Sequence, residues 1–216
     1  MKWGLFGGTF DPVHFGHLRA AQELITLLNL DRVIFIPAAL PPHKTACVIT
    51  PFEHRSQMIR LAIEGNDQFY FSDVENLRPG KSYSMDTVQY FLDTHDKSLE
   101  LYFIVGQDAF DAITTWYKWE KLLSLCHFAV MTRPGYENKG LVHILPPDIA
   151  ARFVYDQQNE IFKDPQGGSV FFRKITFLDI SSSGIRERIH QGQSIRYLMP
   201  DNVIRYMEAN RLYRSE

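Results

Sequence analysis

The sequence predicts an α/β fold: a doubly wound (Rossmann-like) parallel sheet with helices on both faces, in a single domain over residues 1–216. Three observations carry that reading. Runs with strand character alternate with amphipathic helical runs along most of the chain, which calls for parallel strands joined by crossover helices. Two of the strand runs, Val33-Ile34-Phe35-Ile36 and Leu101-Tyr102-Phe103-Ile104-Val105, are apolar throughout, as strands buried on both faces are. A phosphate-seeking turn follows the first strand, and another follows the last. The two converge only if those strands flank a switch point of a doubly wound sheet.

The elements follow in order. Trp3 to Phe6 form the first strand, which Gly7-Gly8 ends abruptly. From His17 the spacing becomes helical, with Leu18, Ala21, Leu24, Ile25 and Leu28 recurring at three and four. Paired glycines let a ligand approach the main chain, and a helix N-terminus attracts phosphate. His14 and His17 share a face if the first turn includes both, and are then placed to donate to charge developing on phosphate. Taken singly, Gly-Gly is often only a turn and a lone histidine is more often structural. Asp11, His14 and His17 as metal ligands rank third, because no further His/Cys cluster supports them; no metal site is expected. No P-loop pattern is present.

Arg32 to Pro37 form the second strand, and the Pro41-Pro42-His43-Lys44 stretch is an extended loop at the ligand crevice. Thr50-Pro51 reads as an N-cap with proline at the first helical position, opening a helix through Ile63. Phe69 to Ser72, extending toward Val74, is the third strand. Tyr83-Ser84-Met85 opens a helix that turns Val88, Phe91 and Leu92 inward, with Ser84 as its N-cap. After Leu101–Val105 comes Gly106-Gln107-Asp108, a carboxylate placed to accept a ribose diol, although Asp is also a good N-cap. Trp116, Tyr117 and Trp119 cannot all face one core from a helix. His127 to Thr132 is the next strand, with Arg133 at its end before Pro134-Gly135. Residues 137–174 carry no chemical motif around an amphipathic stretch from Ile149 to Phe162; an insertion, a lid and a dimerisation surface all fit. Residues 175–180 read as the last strand. Ser181-Ser182-Ser183-Gly184-Ile185-Arg186 follows as a second phosphate cradle, and a terminal helix runs from Asp201 to about Asn210.

Composition sets the outer bounds. The chain is 45% hydrophobic and 22% charged with a formal net charge of −2, which argues against a nucleic-acid partner. Cys47 and Cys126 are too few for a disulfide framework or zinc motif and suit a reducing compartment. No secretory h-region and no run of eighteen apolar residues is present, so a soluble, cytoplasmic protein with no membrane association is expected.

The opening string Gly7-Gly8-Thr9-Phe10-Asp11-Pro12-Val13-His14-Phe15-Gly16-His17 resembles the signature of the H-x-G-H nucleotidyltransferase superfamily. With Pro41-Pro42-His43-Lys44, Gly106-Gln107-Asp108, Trp116-Tyr117, Arg133-Pro134-Gly135 and the Arg211-Leu212-Tyr213 ending, it is similar to the bacterial nicotinate-nucleotide adenylyltransferases. Two departures exchange threonine for serine, at Ser84 and Ser183, and keep the hydroxyl.

The resemblance implies adenylyl transfer from ATP to nicotinate mononucleotide, releasing pyrophosphate. His14, His17, Lys44 and Arg186 would act on the phosphates. Gly7, Gly8, Thr9, Phe10, Gly106, Asp108, Ile180, Ser181, Ser182 and Ser183 would bind ATP. Ser84, Trp116, Tyr117 and Arg133 would bind the mononucleotide, and Mg²⁺ would enter as the ATP complex. A homo-oligomer is compatible with the sequence. Pantetheine-phosphate adenylyltransferase shares the first and last motifs but lacks Pro-Pro-His-Lys and Trp-Tyr. A nucleotide-binding module without turnover is the rival from another class, and a class I aminoacyl-tRNA synthetase fragment fits less well.

Overall fold

A computed structural model describes residues 1–41, 49–132, 135 and 140–214. The first half runs β1 (Lys2–Gly8), α1 (Phe15–Leu28), β2 (Arg32–Pro37), α2 (Phe52–Ile63), β3 (Phe69–Phe71) and α3 (Ser84–Thr94). It continues with β4 (Glu100–Gly106), α4 (Gln107–Asp111), α5 (Trp119–Leu125), β5 (His127–Thr132) and α6 (Pro147–Ala150). The remainder is β6 (Val154–Asp156), β7 (Ile161–Lys163), β8 (Ser169–Lys174), α7 (Ser182–His190) and α8 (Asp201–Ala209). The strands join one sheet in the order β3-β2-β1-β4-β5-β8-β7-β6. Six strands are parallel, and β7 and β6 add an antiparallel hairpin at one edge. Among the described residues no helix is long and apolar enough to cross a membrane.

Period-two alternation divides the core between the faces of the sheet. Leu5, Ile34, Leu101 and Phe103 pack on one side with Val88 and Phe91 of α3. Phe6, Val33, Phe35 and Ile104 pack on the other with α1, α2 and α8. Because both faces are covered, the central strands read as unbroken apolar runs.

The chain winds outward from β1 to β3, then returns to β4 on the far side of β1. The switch point therefore lies between β1 and β4. The expectation that the first and last strands flank it is corrected, since β8 stands beyond β4 and β5. The strand expected over 175–180 is likewise displaced to Ser169–Lys174. Lys174 is in register with Thr132, the last residue of β5, and among the described residues no ladder pair follows. The chain runs on without regular secondary structure, turning where Ile180 N–H meets Leu178 O at 2.7 Å, and Thr176 N–H goes to Glu23 Oε2 of α1 at 2.8 Å. This segment carries the second phosphate cradle back to the first.

Three boundary expectations also change. Ser84 is the first residue of α3 and Tyr83 its N-cap, without a side-chain cap. Pro51, not Thr50, caps α2, because Thr50 lends its N–H to Asp11 and its carbonyl to Arg55. The stretch from Ile149 to Phe162 is the end of α6 followed by the β6–β7 hairpin.

Candidate active site

The site grows from the C-terminal ends of β1, β4 and β5, where crevices of open α/β sheets form. His14 is the extended N-cap of α1, and its backbone N–H donates to His17 Nδ1 at 3.2 Å. That bond makes Nδ1 an acceptor, so the neutral His17 ring carries its hydrogen on Nε2. The two imidazoles stack with centroids 3.7 Å apart, while Phe6 and Phe10 close on the His17 ring from 5.9 and 5.0 Å. Burial pushes the His14 pKa down to about 4. Burial, then repulsion from His14, holds that of His17 well below its ordinary value. Both rings are therefore neutral near pH 7.

Gly16 leaves room for this pairing. A Cβ there would lie 3.0 Å from His14 Cε1 and Nδ1. The sequence marks the position as glycine, but only the ring contact explains why.

His14 and His17 line a cavity of about 350 Å³ together with Gly106, Asp108, Ile180, Ser181 and Ser182. The run 175–178 forms another wall, and Ala20, Gln107, Met131 and Thr132 also line the cavity. These residues carry no sequence signal, because a backbone wall and an alanine look like any loop and any helix face. A Cβ on Gly106 would meet nothing within 4 Å. Space, not packing, is what that glycine preserves.

Other expected residues stand behind this wall. Gly7 and Gly8 end β1, and the Phe10 ring is buried among Phe6, Phe35 and His17, leaving only its backbone for a ligand. Thr9 gives its carbonyl to Arg55. Ser181 caps α7 by accepting from Gly184 N–H at 3.1 Å, as its position suggests. The Ser182 hydroxyl donates to Pro12 O at 2.8 Å, and Arg186 Nη1 to Asp11 O at 2.6 Å. Ser182 and Arg186 thus lock the two phosphate-seeking helix ends together. Ser183 Oγ lies 3.3 Å from Ser181 Oγ. Lys44 and Arg133 lie outside the described residues.

A second cluster forms where α3 begins. Tyr83 stacks on exposed Tyr117 with centroids 4.6 Å apart, which places Ser84 beside the Trp116-Tyr117 segment. The Ser84 hydroxyl is not engaged as a cap. Trp116 is half-buried and meets Phe103 of β4 edge-on at 5.8 Å, and Trp119 also packs on the core. Lys118 Nζ lies 4.9 Å from the Tyr117 ring; hydrogen bonding and attraction to Tyr117, with Asp86 nearby, raise its pKa. Beneath α3, buried Glu75 accepts the Thr87 hydroxyl at 2.7 Å, and burial raises its pKa. Ser82 Oγ accepts from Ala39 and Leu40 N–H, tying this corner to the end of β2.

Sequence reasoning passed over Arg55. It is 1% exposed and donates to the carbonyls of Thr9, Ala38 and Thr50 at 2.8 Å each. Its signal was present, since position 55 shares the helix face of Met58, Ile59 and Ile63.

Histidine donors at one helix end, a serine-capped helix facing them and a carboxylate at the switch point define an α/β nucleotide-binding protein of the nucleotidyl-transferring type. Residues 5–188 match the cytidylyltransferase-like family model. The sequence is 45% identical over 216 residues to "Probable nicotinate-nucleotide adenylyltransferase" of Geobacter sulfurreducens, covering 100% of each chain. It is 44% identical to the protein of the same name from Pelobacter propionicus, over 99% of this chain and 98% of that one. The fold is similar to that of Plasmodium falciparum nicotinic acid mononucleotide adenylyltransferase complexed with NaAD, with a TM-score of 0.72 at 19% identity over 98% and 97% of the chains. The chain belongs to the cytidylyltransferase-like family and, within it, to the nicotinate-nucleotide adenylyltransferases.

Proposed function

We infer that the two clusters are the two halves of one bisubstrate site. The protein is a nucleotidyltransferase that joins ATP to nicotinate mononucleotide, giving the dinucleotide of NAD synthesis and pyrophosphate. In our reading, adenosine fills the 350 Å³ cavity against the backbone of 175–178, with its ribose diol on Asp108. Phosphates extend between the N-terminal ends of α1 and α7. The mononucleotide lies along Ser84, Trp116 and Tyr117, with Arg133 and Lys44 assigned by the family pattern alone.

The protein needs no nucleophile of its own. An oxygen of the mononucleotide 5′-phosphate, already ionised at neutral pH, attacks the α-phosphorus in line. One P–O bond forms there, and the bond from the α-phosphorus to the bridging β-oxygen breaks. The single observation that carries the assignment is the bond from His14 N–H to His17 Nδ1, which leaves an uncharged N–H donor on Nε2 of a ring that lines the cavity. Such a donor, positioned beforehand, stabilises charge that grows in the transition state. Mg²⁺ would arrive on the triphosphate, held by phosphates and water. When bound, Mg²⁺ would offset phosphate charge.

The pyridine corner favours the acid over the amide. Around Tyr117 it offers the Ser84 hydroxyl, the N–H groups opening α3 and the Lys118 ammonium, while Asp86 faces Lys118. A carboxylate pairs with all of these, whereas an amide turns its own donors toward them. Charge-assisted bonds worth about 1.5–3 kcal/mol correspond to about 10- to 150-fold in kcat/KM, and the amide's mismatched donors add to that, for a preference of at least about 10²-fold.

The test incubates wild-type protein and His17→Ala with Mg²⁺-ATP and, separately, nicotinate mononucleotide, its amide and phosphopantetheine. Dinucleotide and pyrophosphate are then quantified. We expect turnover chiefly with nicotinate mononucleotide and a loss in kcat of about 10²- to 10³-fold in the variant. Retention of half the wild-type kcat in His17→Ala would refute the assignment of that ring.

A further inference from the structure

Several active-site segments meet at one buried carboxylate that the chemistry above leaves unused. Asp11 is 5% exposed. Its Oδ1 accepts the Tyr213 hydroxyl at 2.6 Å, its Oδ2 faces Thr50 N–H at 3.4 Å, and its main-chain oxygen receives Arg186. The next residue, Pro12, receives Ser182. Asp11 and Pro12 are therefore the pair on which α7 is seated. Whatever fixes them also fixes the spacing between the helix ends that face the phosphates.

Tyr213 reaches this point from the turn after α8, 202 positions along the chain. Burial and the bond to Asp11 push its pKa well up, so the phenol remains a neutral donor throughout the physiological range. The turn that delivers it is unusual. Arg211 and Tyr213 have φ of 53° and 62°, and Phe10, beside Asp11, has φ of 49°. Non-glycine residues adopt this left-handed region rarely and hold it where surrounding contacts over-determine it. Leu212 and Tyr213 pack on the cluster containing Phe6, Phe10 and Val13. Tyr213 could fill that space as a phenylalanine; the hydroxyl is what reaches Asp11.

We propose that Tyr213 is a positioning residue for adenylyl transfer, its hydroxyl holding Asp11 so that the β1–α1 loop presents His14 and His17 opposite α7. The proposal rests on the site assignment above. The mononucleotide corner lies on α3 and the segment before α5, away from this anchor. Loosening the anchor is therefore expected to affect ATP selectively.

The test compares wild type, Tyr213→Phe, Asp11→Ala, the double variant and His17→Ala by steady-state kinetics and thermal unfolding. Tyr213→Phe should raise KM for ATP about tenfold and lower kcat severalfold, as a small misplacement of reacting groups does. KM for the mononucleotide should stay within twofold and Tm within a few degrees. In the Asp11→Ala background the same substitution should add little, because Asp11 is gone and only the Thr50 side chain remains beside the hydroxyl. Should Asp11→Ala fail to fold, Asp11→Asn keeps the Oδ1 acceptor and should retain a KM for ATP within about threefold of wild type. Unchanged kinetics in Tyr213→Phe beside an inactive His17→Ala overturn the proposal alone. An equal loss in the Asp11→Ala background, a parallel rise of both KM values, or Asp11→Asn matching Tyr213→Phe does the same. An active His17→Ala counts instead against the underlying site assignment.

Discussion

Gly16→Ala separates what the fold needs at the H-x-G-H turn from what the chemistry needs. Gly16 is the second residue of α1, where alanine is favoured over glycine by about 1 kcal/mol. Against that gain, the new Cβ would lie 3.0 Å from two atoms of the His14 ring and 3.6 Å from Ile180 O. The ring can yield only by a few tenths of an ångström, since it is 6% exposed and stacked on His17. Strain of about 1 kcal/mol for an off-rotamer side chain then nearly cancels the helical gain. Stability should change by less than about 1 kcal/mol in either direction. Activity should not be spared. Deleting an electrostatic donor costs about 10²- to 10³-fold; shifting the pair without deleting it should lower kcat by about 5- to 20-fold. Dinucleotide formation under saturating substrates gives kcat, and urea unfolding followed by circular dichroism gives stability. A variant as active as wild type would show that the His14–His17 stacking geometry is irrelevant to turnover. A stability loss of 3 kcal/mol or more would show that the glycine serves packing alone.

Three further outcomes follow from the same geometry. Because His14 is held at about 4 and His17 also well below its ordinary value, the native state binds fewer protons than the unfolded chain between about pH 4 and 6.5. The resulting stability is complete above pH 6.5 and lost as pH falls toward 4, by about 3 kcal/mol for His14 alone; His14→Gln should flatten that limb in urea titrations, and an unchanged slope would exclude His14 as its source. Gly106→Val should fold normally, since φ of −74° and open space accommodate it, yet weaken ATP binding by calorimetry about tenfold or more; wild-type affinity would mean that ATP does not approach this strand end. Glu23→Gln keeps an acceptor for Thr176 N–H but loses the charge that Arg19 and Thr176 both address, so KM for ATP should rise about threefold. A change in the mononucleotide KM instead would misplace the 175–178 wall.

The parts of the molecule that were legible in the sequence are those fixed by local chemistry. Gly7-Gly8 after an apolar run, the hydroxyl cap at Ser181 and the unbroken β4 run each specify their structure within a few residues. Residues 175–180 misled because β-branched and apolar side chains suit other half-buried segments as well as strands, and here Thr176 N–H is taken by Glu23 of α1. The β6–β7 hairpin escaped because three-residue strands are too short to show a period. In the site, His14, His17, Asp108 and Ser181 were readable from their positions at element ends. Arg55 was readable in principle, as a charge on an apolar helix face. Tyr213 was not, because nothing near it in sequence states that its hydroxyl will meet a carboxylate 202 positions earlier.

The charges behind the site account for how a chain of formal charge −2 can receive two anionic substrates. Arg55 and Arg186 bring two guanidinium groups to the β1–α1 loop, and the buried carboxylate there is Asp11 alone. Tyr213, the other acidic group in contact, is kept protonated by burial and by its bond to Asp11. Carbonyls of Thr9, Ala38, Thr50 and Asp11 solvate the guanidinium groups without cancelling their charge. Among the described residues the two guanidinium groups thus stand against one buried carboxylate, with Glu53 also acting on Arg55, where mobile salt ions screen them less than they would at the surface. In front of them stand donors that are neutral by construction, the His17 N–H among them. In the proposed reading, attraction to phosphate is supplied from behind and direction from in front. A histidine that gained a proton would add charge, but its extra N–H would face the His14 backbone donor and disrupt the bond that sets the ring's orientation. Holding both imidazoles neutral favours aim over charge, the better exchange if, as proposed, the phosphates arrive as their Mg²⁺ complex.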